Sequence, residues 1–130
     1  TPYWCRENDE LGADGSITFG TRVPLVGLPF SWTLDDFPQM EFVLGRGLTI
    51  EGLNDPRKCE SMWLADMDFM AEEVEDGVYV MCFHPQVIGR GARIRVVERM
   101  IRRAREHGFA FTTCLEAAQN WKAGNPFQAA

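Results

Sequence analysis

Two clusters in the chain carry the residue types best suited to chemistry. His84 is followed directly by Pro85, and Asp35 and Asp36 stand together in Leu34-Asp35-Asp36-Phe37-Pro38. An imidazole exchanges a proton near neutral pH, which suits a general acid or base. A carboxylate beside it would orient the ring and stabilise its charged form. Each group also has a plain structural reading. A histidine can close a strand by bonding a neighbouring carbonyl, and paired acidic residues often cap helices. Trp32, Phe37 and Trp63 are candidates for the walls of an apolar pocket, or for core. Arg90 could hold an anionic group through a two-pronged contact, or stand solvated at the surface.

Strand ends are the expected positions for both clusters. Gly77-Val78-Tyr79-Val80-Met81-Cys82-Phe83-His84 combines a turn glycine with β-branched and aromatic residues over buried-strand length. Pro85 stops it, because proline has no N–H for a ladder. Leu25 to Trp32 reads as an earlier buried strand that ends at the two aspartates. In a parallel sheet the carboxyl ends of strands border the crevice where ligands bind.

Helices fill the intervals. Asp55-Pro56 is a helix start, with Asp55 as N-cap, and Cys59, Met62, Trp63, Phe69, Met70 and Val74 form a rough apolar stripe behind it. Ile94, Val97, Met100, Ile101 and Ala104 share one face of a second helix, which carries arginines on the rest and closes at His107 and Gly108. His107 suits the negative end of that helix and is given no functional role. Phe109-Ala110-Phe111 reads as a short strand, and Thr113 with Glu116 as a capping box opening a last helix through Trp121. Ser16 to Phe19 reads as a short strand after the Asp14-Gly15 turn. Residues 40 to 54 read as loop, and about 122 to 130 as a loose tail.

This order alternates strand and helix, which predicts an α/β fold of parallel strands with crossover helices. Three such units fall short of the roughly eight that close a barrel. The expectation is one domain over residues 1–130, either a small open sheet or part of a larger one.

Composition narrows the partners. The 130 residues are 45% hydrophobic and 25% charged, as in an ordinary globular domain. A net charge of −6 argues against nucleic acid or an anionic membrane as partner. No apolar run approaches the roughly 20 residues of a membrane span. Cys5, Cys59, Cys82 and Cys114 are dispersed without a C-x-x-C pair, which predicts free thiols, a reducing cytoplasm and no metal site built by this chain alone. Because residue 1 is Thr1, a processed or excised chain is expected. By themselves these residues give half a catalytic site, with no metal triad, nucleophile elbow or phosphate loop.

Leu28-Pro29-Phe30-Ser31-Trp32-Thr33-Leu34-Asp35-Asp36-Phe37-Pro38, followed by Val80-Met81-Cys82-Phe83-His84-Pro85-Gln86-Val87-Ile88-Gly89-Arg90, resembles the C-terminal half of the polysaccharide deacetylase (NodB-homology) superfamily. Within it, the chain looks most like the intracellular branch of allantoinases, cyclic imide hydrolases and peptidoglycan deacetylases. Phe109 to Thr113, with Glu116 and Trp121, resembles the end of that branch.

The resemblance implies a distorted (β/α) barrel hydrolysing amide bonds with a divalent metal, zinc in the first place. It implies that His84 is the general acid and that Asp36 or Asp35 belongs to the acidic motif preceding it. The aromatics nearby become pocket walls. The resemblance implies that the family's metal-binding set of one aspartate and two histidines, and its catalytic-base aspartate, lie in its other half, and they have no match here. The expectation is therefore an amidohydrolase completed by a second polypeptide that holds the metal. A small amide or imide is favoured over an N-acetyl sugar as substrate, because no leader is visible. Two other classes stay open: an N-terminal-threonine hydrolase using Thr1, and a structural or regulatory subunit whose half-site has decayed.

Overall fold

A computed structural model describes residues 1–45, 47–50 and 52–128. The chain is mixed α/β and divides into two compact units, Thr1–Pro29 with Thr112–Ala130, and Phe30–Phe111.

In the first unit, β1 (Tyr3–Glu7) pairs antiparallel with β4 (Thr21–Gly27), and the register shifts between Trp4 and Arg6. β2 (Glu10–Leu11) and β3 (Ile17–Thr18) form a small hairpin at the expected turn. There the Asp14 carboxylate accepts both the Ser16 N–H (3.0 Å) and the Ser16 hydroxyl (2.6 Å). α5 (Cys114–Gly124) opens with the expected capping box and runs past Trp121. The Thr113 hydroxyl accepts the Glu116 N–H, and the Glu116 carboxylate accepts the Thr113 N–H. Trp4 packs edge-on against Trp121 and Phe127, with ring centroids 5.3 and 5.1 Å away. Phe127 thus anchors part of the segment expected to be a loose tail.

In the second unit, a 3₁₀ turn (Trp32–Leu34) leads into α1 (Asp36–Met40). The β5–β6 hairpin follows (Val43–Gly45, Leu48–Ile50), and then α2 (Pro56–Glu73), α3 (Pro85–Ile88) and α4 (Gly91–Glu106). α2 begins as expected: Asp55 accepts the Arg57 N–H at 2.9 Å, and Pro56 opens the helix. Its buried side chains are Cys59, Trp63 and Met67. They meet Val96, Met100 and Ala104 of α4 and Met40, Val87 and Ile88 of the short helices in one core. Trp63 is fully buried, and burial of such a ring contributes roughly 4–6 kcal/mol of gross transfer free energy. α4 ends in a left-handed turn at Gly108 (φ 78°), where Phe109 N–H bonds the Ala104 carbonyl.

Four elements differ from expectation. Gly77 to His84 is not a strand. Cys82 alone bridges Asp35 in parallel, with Cys82 N–H to Leu34 O at 3.1 Å and Asp36 N–H to Cys82 O at 3.2 Å. The ladder stops there because the opposing segment turns at once into α1. The expected strand from Leu25 to Trp32 also fails: β4 ends at Gly27, Leu25 is exposed, and residues 32–34 coil into the 3₁₀ turn. Residues 40 to 54, read as loop, contain the β5–β6 hairpin, which turns through Gly47 at φ 80°. Phe109 to Phe111 lacks strand pairing among the described residues. All strand pairs described are antiparallel, so the expected parallel order survives only in the single Asp35–Cys82 bridge.

The apolar stripes also shift. Phe69 of α2 is exposed, whereas Met67 fills the core. On α4, Val96 is fully buried while Ile94 and Ile101 are more than a third exposed. Among the described residues, no helix is long and apolar enough to cross a membrane.

Candidate active site

The parallel bridge brings the two sequence clusters together. Asp35 takes the N-cap position of α1, where its carboxylate accepts the Phe37 N–H at 2.8 Å. Asp36 is therefore the first residue of that helix. His84 takes the equivalent place before α3: its backbone is extended, Pro85 opens the helix, and its carbonyl accepts the Val87 and Ile88 N–H groups. The two chemistry-bearing residues thus sit at the N-terminal ends of two one-turn helices.

Asp36 is fully buried, and His84 supplies its polar contacts on both sides. The His84 backbone N–H donates to the two carboxylate oxygens at 3.1 and 3.0 Å, and the ring Nδ1 lies 2.7 Å from Oδ1. Asp35 Oδ1 is 3.7 Å from the same ring nitrogen. The Phe37 ring lies 5.3 Å from the imidazole at a tilt. This contact leaves Nδ1 carrying the proton that bonds Asp36, and among the described residues no group bonds Nε2. The imidazole is about one-third exposed.

These contacts raise the His84 pKa above its ordinary value. The hydrogen bond to Asp36 is the main cause, partial burial opposes it, and the charges of Asp36 and Asp35 add to it. The neighbouring Cys82 thiol is also pushed up, first by burial and then by the charge of Asp35, so it stays protonated. An imidazolium held through Nδ1 by a buried carboxylate, with Nε2–H free, is equipped to donate a proton.

The other sequence candidates fall in different settings. Phe37 borders His84. Trp32 is 75% exposed on the 3₁₀ turn, with Phe30 at 6.1 Å. Trp63 lies in the core, donating its indole N–H to the Thr33 carbonyl at 2.6 Å and accepting the Tyr79 hydroxyl on its own carbonyl at 2.8 Å. It therefore supports the turn before Asp35 from below. Arg90 is largely exposed, 3.9 Å from Glu41.

Two features escaped the sequence reading. Cys82 stands beside Asp35 and His84; its position two residues before His84 on extended backbone was the available signal. Arg93 binds Glu41 and two backbone carbonyls, whereas its helical position marked it only as part of a solvated basic face.

Donor atoms of Asp35, Cys82 and His84 lie within 4.8 Å of one another. They do not fit the implied metal. The resemblance calls for one aspartate and two histidines, and the chain has only His84 and His107. His84 Nδ1 is also committed to Asp36.

No protein-family model matches the chain. A peptidoglycan deacetylase of Helicobacter pylori is 30% identical over an alignment of 137 residues, covering 97% of this chain and 46% of that protein. The chain spans about half the length of this curated relative.

Proposed function

We propose that this chain is the C-terminal half of a NodB-like deacetylase domain, and that it supplies the proton donor to a hydrolase of N-acetyl C–N bonds. The observation that carries the reading is the His84–Asp36 pair: a partly exposed imidazole whose Nδ1 is held at 2.7 Å by a fully buried carboxylate. Similarity to a peptidoglycan deacetylase along nearly the whole chain supports the reaction class. That relative's name favours an N-acetyl sugar over the small amide or imide expected from the sequence.

The chemical need is specific. Water adds to the acetyl carbonyl, and the C–N bond of the resulting tetrahedral adduct breaks only when nitrogen leaves as a neutral amine. His84 Nε2–H gives that proton, and a proton derived from the attacking water restores the imidazolium. Asp36 keeps the ring in one tautomer and stabilises its charged form. Phe37, and Trp32 on the adjoining turn, form the walls for the substrate, with Arg90 able to hold an anionic group. Activation of the water, with any divalent metal, belongs to residues outside this chain.

A second polypeptide carrying the N-terminal half completes the barrel in this reading. One observation supports it: the Phe30–Phe111 unit leaves Trp32, Phe42, Phe69 and Phe111 more than half exposed. Native mass spectrometry and acetate release from an N-acetylglucosamine oligomer test the reading together. The expected result is an active assembly containing a second chain and a divalent metal, with activity lost in His84→Ala. Full turnover in that variant, or activity from a monodisperse single chain, would overturn the corresponding part.

A further inference from the structure

Arg93 joins three segments that the proposed chemistry depends on. Its side chain is 18% exposed and lies in the first turn of α4. Nη2 donates to the Met40 carbonyl at 2.8 Å, at the C-terminal end of α1. Nη1 donates to the Val87 carbonyl of α3 at 3.2 Å and to Glu41 Oε1 at 2.9 Å. The last carbonyls of a helix have no partner within it and form its negative end, so a guanidinium shared between two such ends satisfies both.

The opposite ends of these same helices carry Asp36 and His84. α1 has only five residues and α3 only four, too few to hold their own geometry. Each is fixed at one end by the Asp36–His84 contact and at the other by Arg93. We propose that Arg93 is a positioning residue that sets the Asp36–His84 hydrogen bond by clamping the C-terminal ends of α1 and α3. An arginine suits this place because its planar fork donates in two directions at once, whereas a lysine offers one compact point charge. The inference rests on His84 being the working group, and it is read out by the titration of His84 rather than by turnover.

If the clamp is released, the Asp36–His84 hydrogen bond lengthens. That bond is the main reason the imidazole pKa is raised, so the pKa falls toward the ordinary histidine value of 6.5. The groups facing His84 are Asp36 and Asp35 at the start of α1 and the Cys82 thiol across the bridge. Arg90, Arg93 and Glu41 form one charge group at the far end of the same helices.

The test is an NMR titration of His84 in the full chain. His107, the other histidine, is assigned through His107→Gln. Arg93→Met is expected to lower the His84 pKa and to speed exchange of its Nδ1 proton. Arg93→Lys should show a smaller change of the same sign. The control is Arg99→Met, which removes the paired contact with Glu60 between α4 and α2 and should leave His84 unmoved. If Arg93→Met does not fold, Arg93→Lys decides. An unchanged His84 titration in a folded Arg93 variant, or an equal shift in Arg99→Met, overturns the proposal. Full turnover in His84→Ala would instead overturn the functional reading and leave the titration result standing.

Discussion

The molecule contains two histidine–aspartate contacts of the same length, and they are built for different ends. His84 meets Asp36 through Nδ1 at 2.7 Å, and His107 meets Asp68 through Nε2 at 2.7 Å. Asp36 is fully buried and, among the described residues, its carboxylate takes hydrogen bonds from His84 alone, ring and backbone. Asp68 is about one-third exposed and is shared with the Arg103 guanidinium, which grips both its oxygens at 2.8 and 2.9 Å. One pair leaves Nε2 free beside a bridge between two short helices. The other consumes Nε2 to fasten the end of α4 to α2. The contact is the same in both; the proposal for His84 rests on the atom left over.

The largest expected effect is on turnover. If His84 is the proton donor of the proposed assembly, His84→Ala slows deacetylation by about 10²- to 10⁴-fold, the usual contribution of a general acid. His107→Gln should leave it near the wild-type rate. Similar losses in both variants would erase the distinction between the pairs.

Next comes Asp36→Asn, which keeps the shape but removes the charge. It should cost roughly ten- to a hundredfold in turnover and move the alkaline limb of the rate profile, where His84 loses its proton, to lower pH. An unshifted profile would mean that Asp36 only fills space.

The pairs should also separate in stability against pH. The His84 pKa is raised on folding, so its stabilisation is present below 6.5 and is lost as pH rises through the folded value. The Asp68 pKa is lowered, mainly by hydrogen bonds from Arg103 and His107. Its stabilisation is therefore present above 3.8 and is lost as pH falls through the folded value. Thermal melts should show Asp68→Asn flattening the acid side of the curve, below 3.8, and Asp36→Asn the side above 6.5. The reverse assignment would contradict the two pKa directions. The smallest effect is that of Asp68→Asn at neutral pH, a modest fall in melting temperature with turnover preserved, because the residue lies outside the donor pair.

Features legible in the sequence were those decided by neighbours along the chain. Asp55-Pro56, the Thr113–Glu116 box, Gly108 and the Asp14-Gly15 turn each rest on contacts within a few residues, and each is found. The Gly77–His84 stretch has every local mark of a strand, yet a strand also needs a partner, and Leu34 to Asp36 supplies one only at Cys82. On α4, counting apolar positions placed the inner face one step away from Val96, because the packing of α2 decides which row is covered. The candidate site was partly legible. His84 and the Asp35-Asp36 pair were singled out by type and by position at expected strand ends, whereas the His84–Asp36 contact spans 48 positions and no spacing rule reaches that far. Arg93 was hidden for the same reason, since its partners are carbonyls, which carry no side-chain signature.

The claim that His84 protonates the leaving nitrogen is tested most directly by varying that nitrogen. Turnover of an N-acetyl sugar would be compared with that of an activated acetanilide, whose electron-poor nitrogen depends less on a proton donor as it departs, in the wild-type and His84→Ala assemblies. The account predicts a large loss in the variant on the sugar and a small one on the anilide. Equal losses on both substrates would contradict it and assign His84 to a step before the C–N bond breaks.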